Sequence, residues 1–253
     1  IRDRYSDASA CGNEIASEKP MVRKYIIDSL CYWASEYHID GFRFDLMGVL
    51  DIETLNEARK ALLKINPDII MYGEGWTGGE STLPESERGM KINAPRTPGI
   101  GMFSDDIRDA VKGHVFYMDE LGFVNGAADR GEELKQAVTC AKWAKSPMQS
   151  INYLSCHDNY TLWDRFIISN SHESEEMRIR MNKLAAAILF TAQGIPFFLH
   201  GEEFARTKIS EADGAPVENS YCSPLSVNAI DYDRAEQFSD LKAYYKGLIA
   251  LRR

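Results

Sequence analysis

The chain is short of the features that would mark a membrane protein, a nucleic-acid binder or a disulfide scaffold. No apolar run in its 253 residues approaches the ~18 that a membrane-spanning helix needs, so no membrane partner is expected. Positive charge is in deficit: 29 Lys and Arg stand against 38 Asp and Glu, a formal charge of −9. Phosphate backbones are bound through a basic face, so nucleic acid is excluded as a partner, while a neutral or cationic small molecule is not. Five cysteines (Cys11, Cys31, Cys140, Cys156, Cys222) are scattered without a CxxC pair. An odd, unclustered set fits reduced thiols better than a disulfide framework, and favours a reducing compartment over an oxidising one. Repeats, charge blocks and low-complexity tracts are absent, and so is any linker. The chain opens on Ile1 with neither an initiator Met nor a signal peptide, as a piece of a longer protein would.

What is present has the composition of a soluble globular domain, with 44% hydrophobic and 26% charged residues. Apolar residues recur at helical spacing over 20–37, 52–65, 132–145, 176–192 and 239–252. In the first segment Val22, Tyr25, Ile26, Leu30, Trp33 and Tyr37 mark the apolar face, and Pro20 suits the first turn. In the last, Ser239 is placed to cap. Between the helices lie apolar runs of strand length at 39–45, 68–74, 150–156 and 195–201, with a briefer fifth at 101–104. Strands apolar on both faces and interleaved with helices predict an α/β fold with a parallel sheet. Long segments at 75–100 and 202–235 follow strands, where α/β folds carry their functional loops.

The polar residues gather at strand ends. The stretch "HIDGFRFDLMG" (His38 to Gly48) sets Arg43 and Asp45 two apart on a strand, so they share a face. The second strand ends at Glu74 inside "YGEGW", and another ends in "CHDN" with His157, Asp158 and Asn159. Carboxylates converging from successive strand ends suit hydrolysis of a glycosidic bond, one acid as nucleophile and one as proton donor. Each residue alone has a plainer explanation. Asp45 would serve as a turn or cap residue, Arg43 as partner to a core carboxylate, and His157 as a satisfied structural histidine. Glu74 between glycines has less structural reason to be there, because Glu is not a turn former.

"DGFRFDLMG", "YGEGW" and "INYLSCHDN" resemble the nucleophile, acid/base and third-carboxylate regions of the α-amylase superfamily, glycoside hydrolase family 13. With "GIPFFLHGEEFARTK" and "ENSYCSPLSVNAIDYD" the chain resembles the type I pullulanase branch, from about Gly12 to its end. The resemblance implies hydrolysis of α-1,6-glucosidic links in pullulan, amylopectin-derived dextrins or glycogen, with retention. It implies Asp45 as nucleophile, Glu74 as acid/base and Asp158 as the third carboxylate. Arg43, beside Asp45, would keep that carboxylate ionised. His157 would hydrogen-bond sugar hydroxyls, and Trp76 would either stack on a sugar or pack. "FSDDIRDAVKG" (Phe103 to Gly113) also matches and is assigned no chemistry. The chemistry requires no cofactor. Calcium often accompanies the family as a structural ion, but no EF-hand spacing places one here.

Two departures accompany the resemblance. The family's first signature, Asp-x-x-x-Asn-His, does not occur in the chain. The expected architecture is therefore a partial (β/α)8 TIM barrel, strand 4 to helix 8, with 1–253 as one catalytic domain incomplete on its N-terminal side. Its outermost strands would be exposed edges prone to aggregation. Further on, Cys222 and Leu225 stand where the family usually has Asn and Asp. That change either alters how the neighbouring glucose is held or records drift in a surface loop. Alternatives to the debranching activity are an α-1,4-acting amylase or neopullulanase-like enzyme, a glucan-binding protein without catalysis, and a truncated inactive product.

Overall fold

A computed structural model describes residues 5–253. Five strands, β1 (Gly41–Phe44), β2 (Ile70–Gly73), β3 (Gly101–Ser104), β4 (Ser150–Tyr153) and β5 (Ile195–Phe197), lie in chain order in one sheet. β1 pairs in parallel with β2, setting Phe44 opposite Gly73, and β2 pairs in parallel with β3. The helices are α1 (Pro20–Glu36), α2 (Ile52–Leu62), α3 (Asp105–Lys112), α4 (Gly131–Thr139), α5 (Leu162–Ser169), α6 (Glu175–Thr191), α7 (Leu225–Asn228), α8 (Asp233–Gln237) and α9 (Ser239–Arg252). The crossover from β2 to β3 has no α-helix, only two short 3-10 turns at Glu85–Glu87 and Lys91–Arg96. Gly78, Gly79, Pro84, Pro95 and Pro98 in that segment each discourage a helix.

The chain divides into two compact units. One runs through Phe103 and includes Lys142–Ile151; the other comprises Ser104–Ala141 and Asn152–Arg253.

In the first unit Met47, Leu55, Ala58, Leu62, Met71, Ile100 and Met102 form the core, with Phe42 and Phe44 of β1 packed against it. Asp51 starts α2. Its carboxylate accepts from the Thr54 amide at 2.9 Å and the Ser17 hydroxyl at 2.7 Å, with Arg23 at 3.2 Å. That buried cap satisfies an amide the helix leaves without a partner. α1 has the predicted helical period, and Pro20 occupies its first turn. Its inward face, however, is Ile27, Leu30, Cys31 and Ala34, not the stripe through Tyr25, Trp33 and Tyr37. Those aromatics are exposed, and Trp33 and Tyr37 stack with centroids 4.5 Å apart. Aromatic rings raise the hydropathy of a stripe without committing it to burial, because they also pack on one another at the surface.

In the second unit α6 buries Met181, Ala185, Ala186, Leu189 and Phe190, while α9 supplies Leu241 and Tyr245 to the same core. Phe190 and Tyr245 meet edge to face at 5.8 Å. Ser174 caps α6 by accepting the Met177 amide, and Thr161 caps α5 by accepting that of Asp164. Two expectations differ from what is found. Ser239 is the first residue of α9 and makes no capping bond. The helix expected over 132–145 ends at Thr139, because Cys140 adopts φ +120 and turns the chain away.

Candidate active site

The register of β1 on β2 decides where the first carboxylates stand. Phe44 pairs with Gly73, and the Glu74 amide extends the ladder by donating to the Phe44 carbonyl at 3.1 Å. Asp45 and Glu74 therefore leave neighbouring parallel strands at the same level. Gly73 is required there: a Cβ would meet the Phe44 carbonyl oxygen at 2.6 Å. Beyond the strands, the Gly48 amide donates to the carbonyls of Glu74 (3.2 Å) and Trp76 (3.1 Å), fastening the loop after β2 to the turn after β1.

Arg43 ties the two acids together. Its guanidinium meets Glu74 Oε1 at 2.6 Å and Asp45 Oδ1 at 3.2 Å. The other Glu74 oxygen accepts the Leu46 amide at 2.9 Å. Leu46 has φ +41 and ψ +53, a left-handed conformation that is costly for a branched side chain. The twist aims its N–H at Glu74. Burial distinguishes the acids: the Glu74 side chain is 10% exposed and that of Asp45 is 80% exposed. Desolvation pushes the Glu74 carboxyl above its ordinary range. The Leu46 amide and the Arg43 charge oppose this, while a hydrogen bond with Asp45 and the charge of that carboxylate add to it. Such an environment suits a proton donor beside an ionised partner.

Trp76 is half-buried, with Lys91 Nζ 5.7 Å from its ring centroid. The cation lies over one aromatic face, which favours the packing role for that face.

In the second unit, His157 and Asp158 follow β4 on a half-exposed loop, with Nε2 and Oδ2 3.2 Å apart. Lys208 Nζ donates to the His157 carbonyl at 2.9 Å, and Asn159, in a left-handed conformation, donates its amide N–H to Asn219 Oδ1 at 3.3 Å. Beneath them Ser155 donates to Glu202 Oε2 at 2.5 Å, and the Tyr245 hydroxyl donates to Glu202 Oε1 at 3.1 Å. Glu202 is wholly buried, and burial outweighs its hydrogen bonds and the Lys112 charge to lift it to about 7. Lys112, also buried, is lowered to about 8.

The structure thus brings Arg43, Asp45 and Glu74 together in the first unit, and His157 and Asp158 together in the second. Sequence reasoning missed the Leu46 amide, for which a leucine carries no signal. It also missed Glu202, which lies in the stretch "HGEEF" beside a second acid, Glu203, and carries no local signal of burial. Cys222 and Leu225 are both exposed after β5, Cys222 in the loop and Leu225 as the first residue of α7. A cavity of about 620 Å³ lined by Arg23, Asp51, Glu57 and Arg96, among others, includes none of the site residues. Among the described residues, the group of three His, Cys, Asp or Glu side chains able to hold an ion is Cys156, His157 and Asp158. A thiol and an imidazole are poor ligands for calcium.

The model of the family described as "Alpha amylase, catalytic domain" matches residues 9–236. The chain belongs to the α-amylase catalytic-domain family. Within that family it is 41% identical to the pullulanase of Bacillus subtilis, over 98% of this chain and 34% of the relative. It is 32% identical to the chloroplastic pullulanase 1 of Arabidopsis thaliana, over 91% of this chain and 29% of that protein. Among solved structures it is similar to the Paenibacillus barengoltzii pullulanase complexed with maltohexaose and α-cyclodextrin. The TM-score is 0.91 at 48% identity, covering 98% of this chain and 39% of that one. The Anoxybacillus pullulanase complexed with maltotriose gives a TM-score of 0.93 at 44% identity, covering 98% and 36%. The chain therefore spans about a third of the length of these relatives, and its α/β fold is that of a partial (β/α)8 barrel of the α-amylase type.

Proposed function

We propose that residues 1–253 are the catalytic-barrel portion of a debranching glycoside hydrolase that cleaves α-1,6-glucosidic bonds in pullulan, branched dextrins and glycogen. The observation that carries the chemistry is the unequal pair Asp45 and Glu74, held on one guanidinium, Asp45 exposed and Glu74 buried with its carboxyl raised by desolvation. Asp45, open to solvent and facing Arg43, attacks the anomeric carbon. Glu74 protonates the leaving 6-oxygen, and the covalent glucosyl–enzyme forms as the C–O bond breaks. Glu74, now a carboxylate, then takes a proton from water, whose oxygen displaces Asp45 and restores the starting configuration. Two close carboxyls of this kind are the requirement for retention. Asp158 and His157 hold the sugar hydroxyls of the distorted ring, and Trp76 packs beside the acid. No cofactor takes part in these steps. Nucleic acid and membrane are not partners in this scheme; no helix among the described residues is long and apolar enough to cross a membrane.

The linkage is supported by the similarity to the Bacillus subtilis and Arabidopsis thaliana pullulanases. Incubation with pullulan tests it. Maltotriose as the product means cutting at α-1,6. Panose would overturn the debranching proposal in favour of α-1,4 cleavage.

A further inference from the structure

We propose that Cys156, His157 and Asp158 form a binding site for a borderline-soft divalent cation of the zinc class, and that its occupation closes the sugar subsite to glucan. The second half rests on the functional assignment of Asp158 and His157; the first half does not.

The donor atoms are already gathered. His157 Nε2 and Asp158 Oδ2 are 3.2 Å apart, and these two and the Cys156 sulfur all lie within 4.8 Å of one another. Zn–N and Zn–O bonds of about 2.0–2.1 Å at tetrahedral angles place the two light donors roughly 3.3 Å apart. The imidazole–carboxylate pair therefore has its coordinating separation before any metal arrives. A Zn–S bond of about 2.3 Å asks for roughly 3.5 Å between sulfur and each light donor, so the sulfur must approach by little more than 1 Å. The side chains of His157 and Asp158 are 66% and 49% exposed, which leaves them free to make that adjustment.

The loop itself is held still. Ser155 on one side is bonded to buried Glu202, the His157 carbonyl accepts from Lys208, and the Asn159 amide donates to Asn219. Metal binding therefore orders three side chains on a fixed backbone, a smaller entropic cost than ordering a mobile loop. The donor set decides the ion. One sulfur, one nitrogen and one carboxylate oxygen suit zinc, cobalt or cadmium and discriminate against calcium and magnesium. Three protein ligands leave a fourth position, which exposure of the loop opens to water.

Charge sets the conditions. The Cys156 thiol gives up its proton to solvent as the metal–sulfur bond forms, and burial raises the cost of that ionisation. Lys112 and Lys208 face the same cysteine, and burial pushes both ammonium groups below their ordinary range. An ion on Asp158 and His157 removes the groups assigned to the sugar hydroxyls, making it an inhibitor that competes with glucan.

Cobalt(II) is the probe, because a cobalt–thiolate bond gives a near-ultraviolet charge-transfer band. Titration of the whole protein should give one cobalt per chain with that band, displaced by zinc. Cys156→Ser should abolish the band, and His157→Gln should weaken binding at least tenfold. Cys11→Ser, at an exposed cysteine remote in sequence, should leave both unchanged. No band in the wild type, or an equal band in Cys156→Ser, overturns the site. Saturating zinc should raise the apparent KM for pullulan with kcat unchanged; full hydrolysis on a metal-loaded enzyme overturns the coupling to the subsite. Failure of the debranching assignment would be visible separately, as absence of pullulan hydrolysis by the metal-free protein.

Discussion

Glu202 and Lys112 should give the stability of the protein a measurable dip near neutrality. Glu202 is buried and lifted from 4.5 to about 7, chiefly by desolvation. Between those values the folded chain keeps a proton that the unfolded chain has lost. Stability therefore falls as pH rises through the window. At about 1.4 kcal/mol per unit the loss amounts to ~3 kcal/mol. Lys112, buried and lowered from 10.5 to about 8, acts in the next window. Above pH 8 the folded chain has shed a proton that the unfolded chain retains until 10.5, so stability recovers by a similar ~3 kcal/mol. Other groups titrate too, and differences between variants isolate these two. Glu202→Gln keeps the side-chain shape and an oxygen for Tyr245 or Ser155 but cannot ionise. Urea unfolding followed by circular dichroism at pH 5, 6, 7 and 8 should show the variant less stable than wild type at pH 5, by about 1 kcal/mol for one poorly matched hydrogen bond. By pH 8 the order should reverse, the variant having gained about 3 kcal/mol relative to wild type. Parallel pH profiles for the two proteins would show that Glu202 does not titrate in this range, and would refute the reasoning.

Further outcomes follow from the first unit. Glu74→Gln should depress pullulan hydrolysis by at least about a hundredfold while sparing glucosyl fluoride, whose leaving group needs no proton; equal damage to both substrates would exclude Glu74 as the acid. Asp51→Ala should cost about 2 kcal/mol by urea unfolding, because it removes the α2 cap and the bond from Ser17, while Arg23 keeps its ion pair with Glu53 at 2.8 Å. Burial opposes ionisation of Asp51, but its hydrogen bonds and Arg23 outweigh burial and hold its carboxyl below 3.8. The stability it lends is therefore present above pH 3.8 and lost as pH falls through the lower folded value. The wild type should lose its advantage over Asp51→Ala below pH 4, as acid titration of both would reveal.

The strands were legible because each is an apolar run closed by a carboxylate, Gly or Ser, and the sequence places Asp45 and Glu74 just beyond two of them. Helix periods were legible too for α1, α2, α4, α6 and α9. Phase was not: Tyr25, Trp33 and Tyr37 look like a core stripe to a hydropathy scale, yet they are exposed while Ile27, Leu30 and Ala34 face inward. Local hydropathy cannot tell which neighbour a face will meet. α3 escaped notice because Asp105, Asp106, Arg108 and Asp109 dilute its few apolar residues, and α5 because it is short. At the site, residue identity pointed to Arg43, Asp45 and Glu74, but the direct Arg43–Glu74 ion pair and the Leu46 amide depend on strand register and one left-handed residue. Those are properties of backbone geometry, which no single residue type encodes.

The central claim is that Asp45 forms the covalent bond to glucose. A fluorinated glucosyl donor that forms the intermediate rapidly and hydrolyses slowly would trap it, and peptide mass spectrometry would locate the added sugar. The account predicts the label on the peptide carrying Asp45, and no label in Asp45→Asn. A sugar attached at Glu74 or Asp158, or turnover by inversion with no adduct, would contradict it.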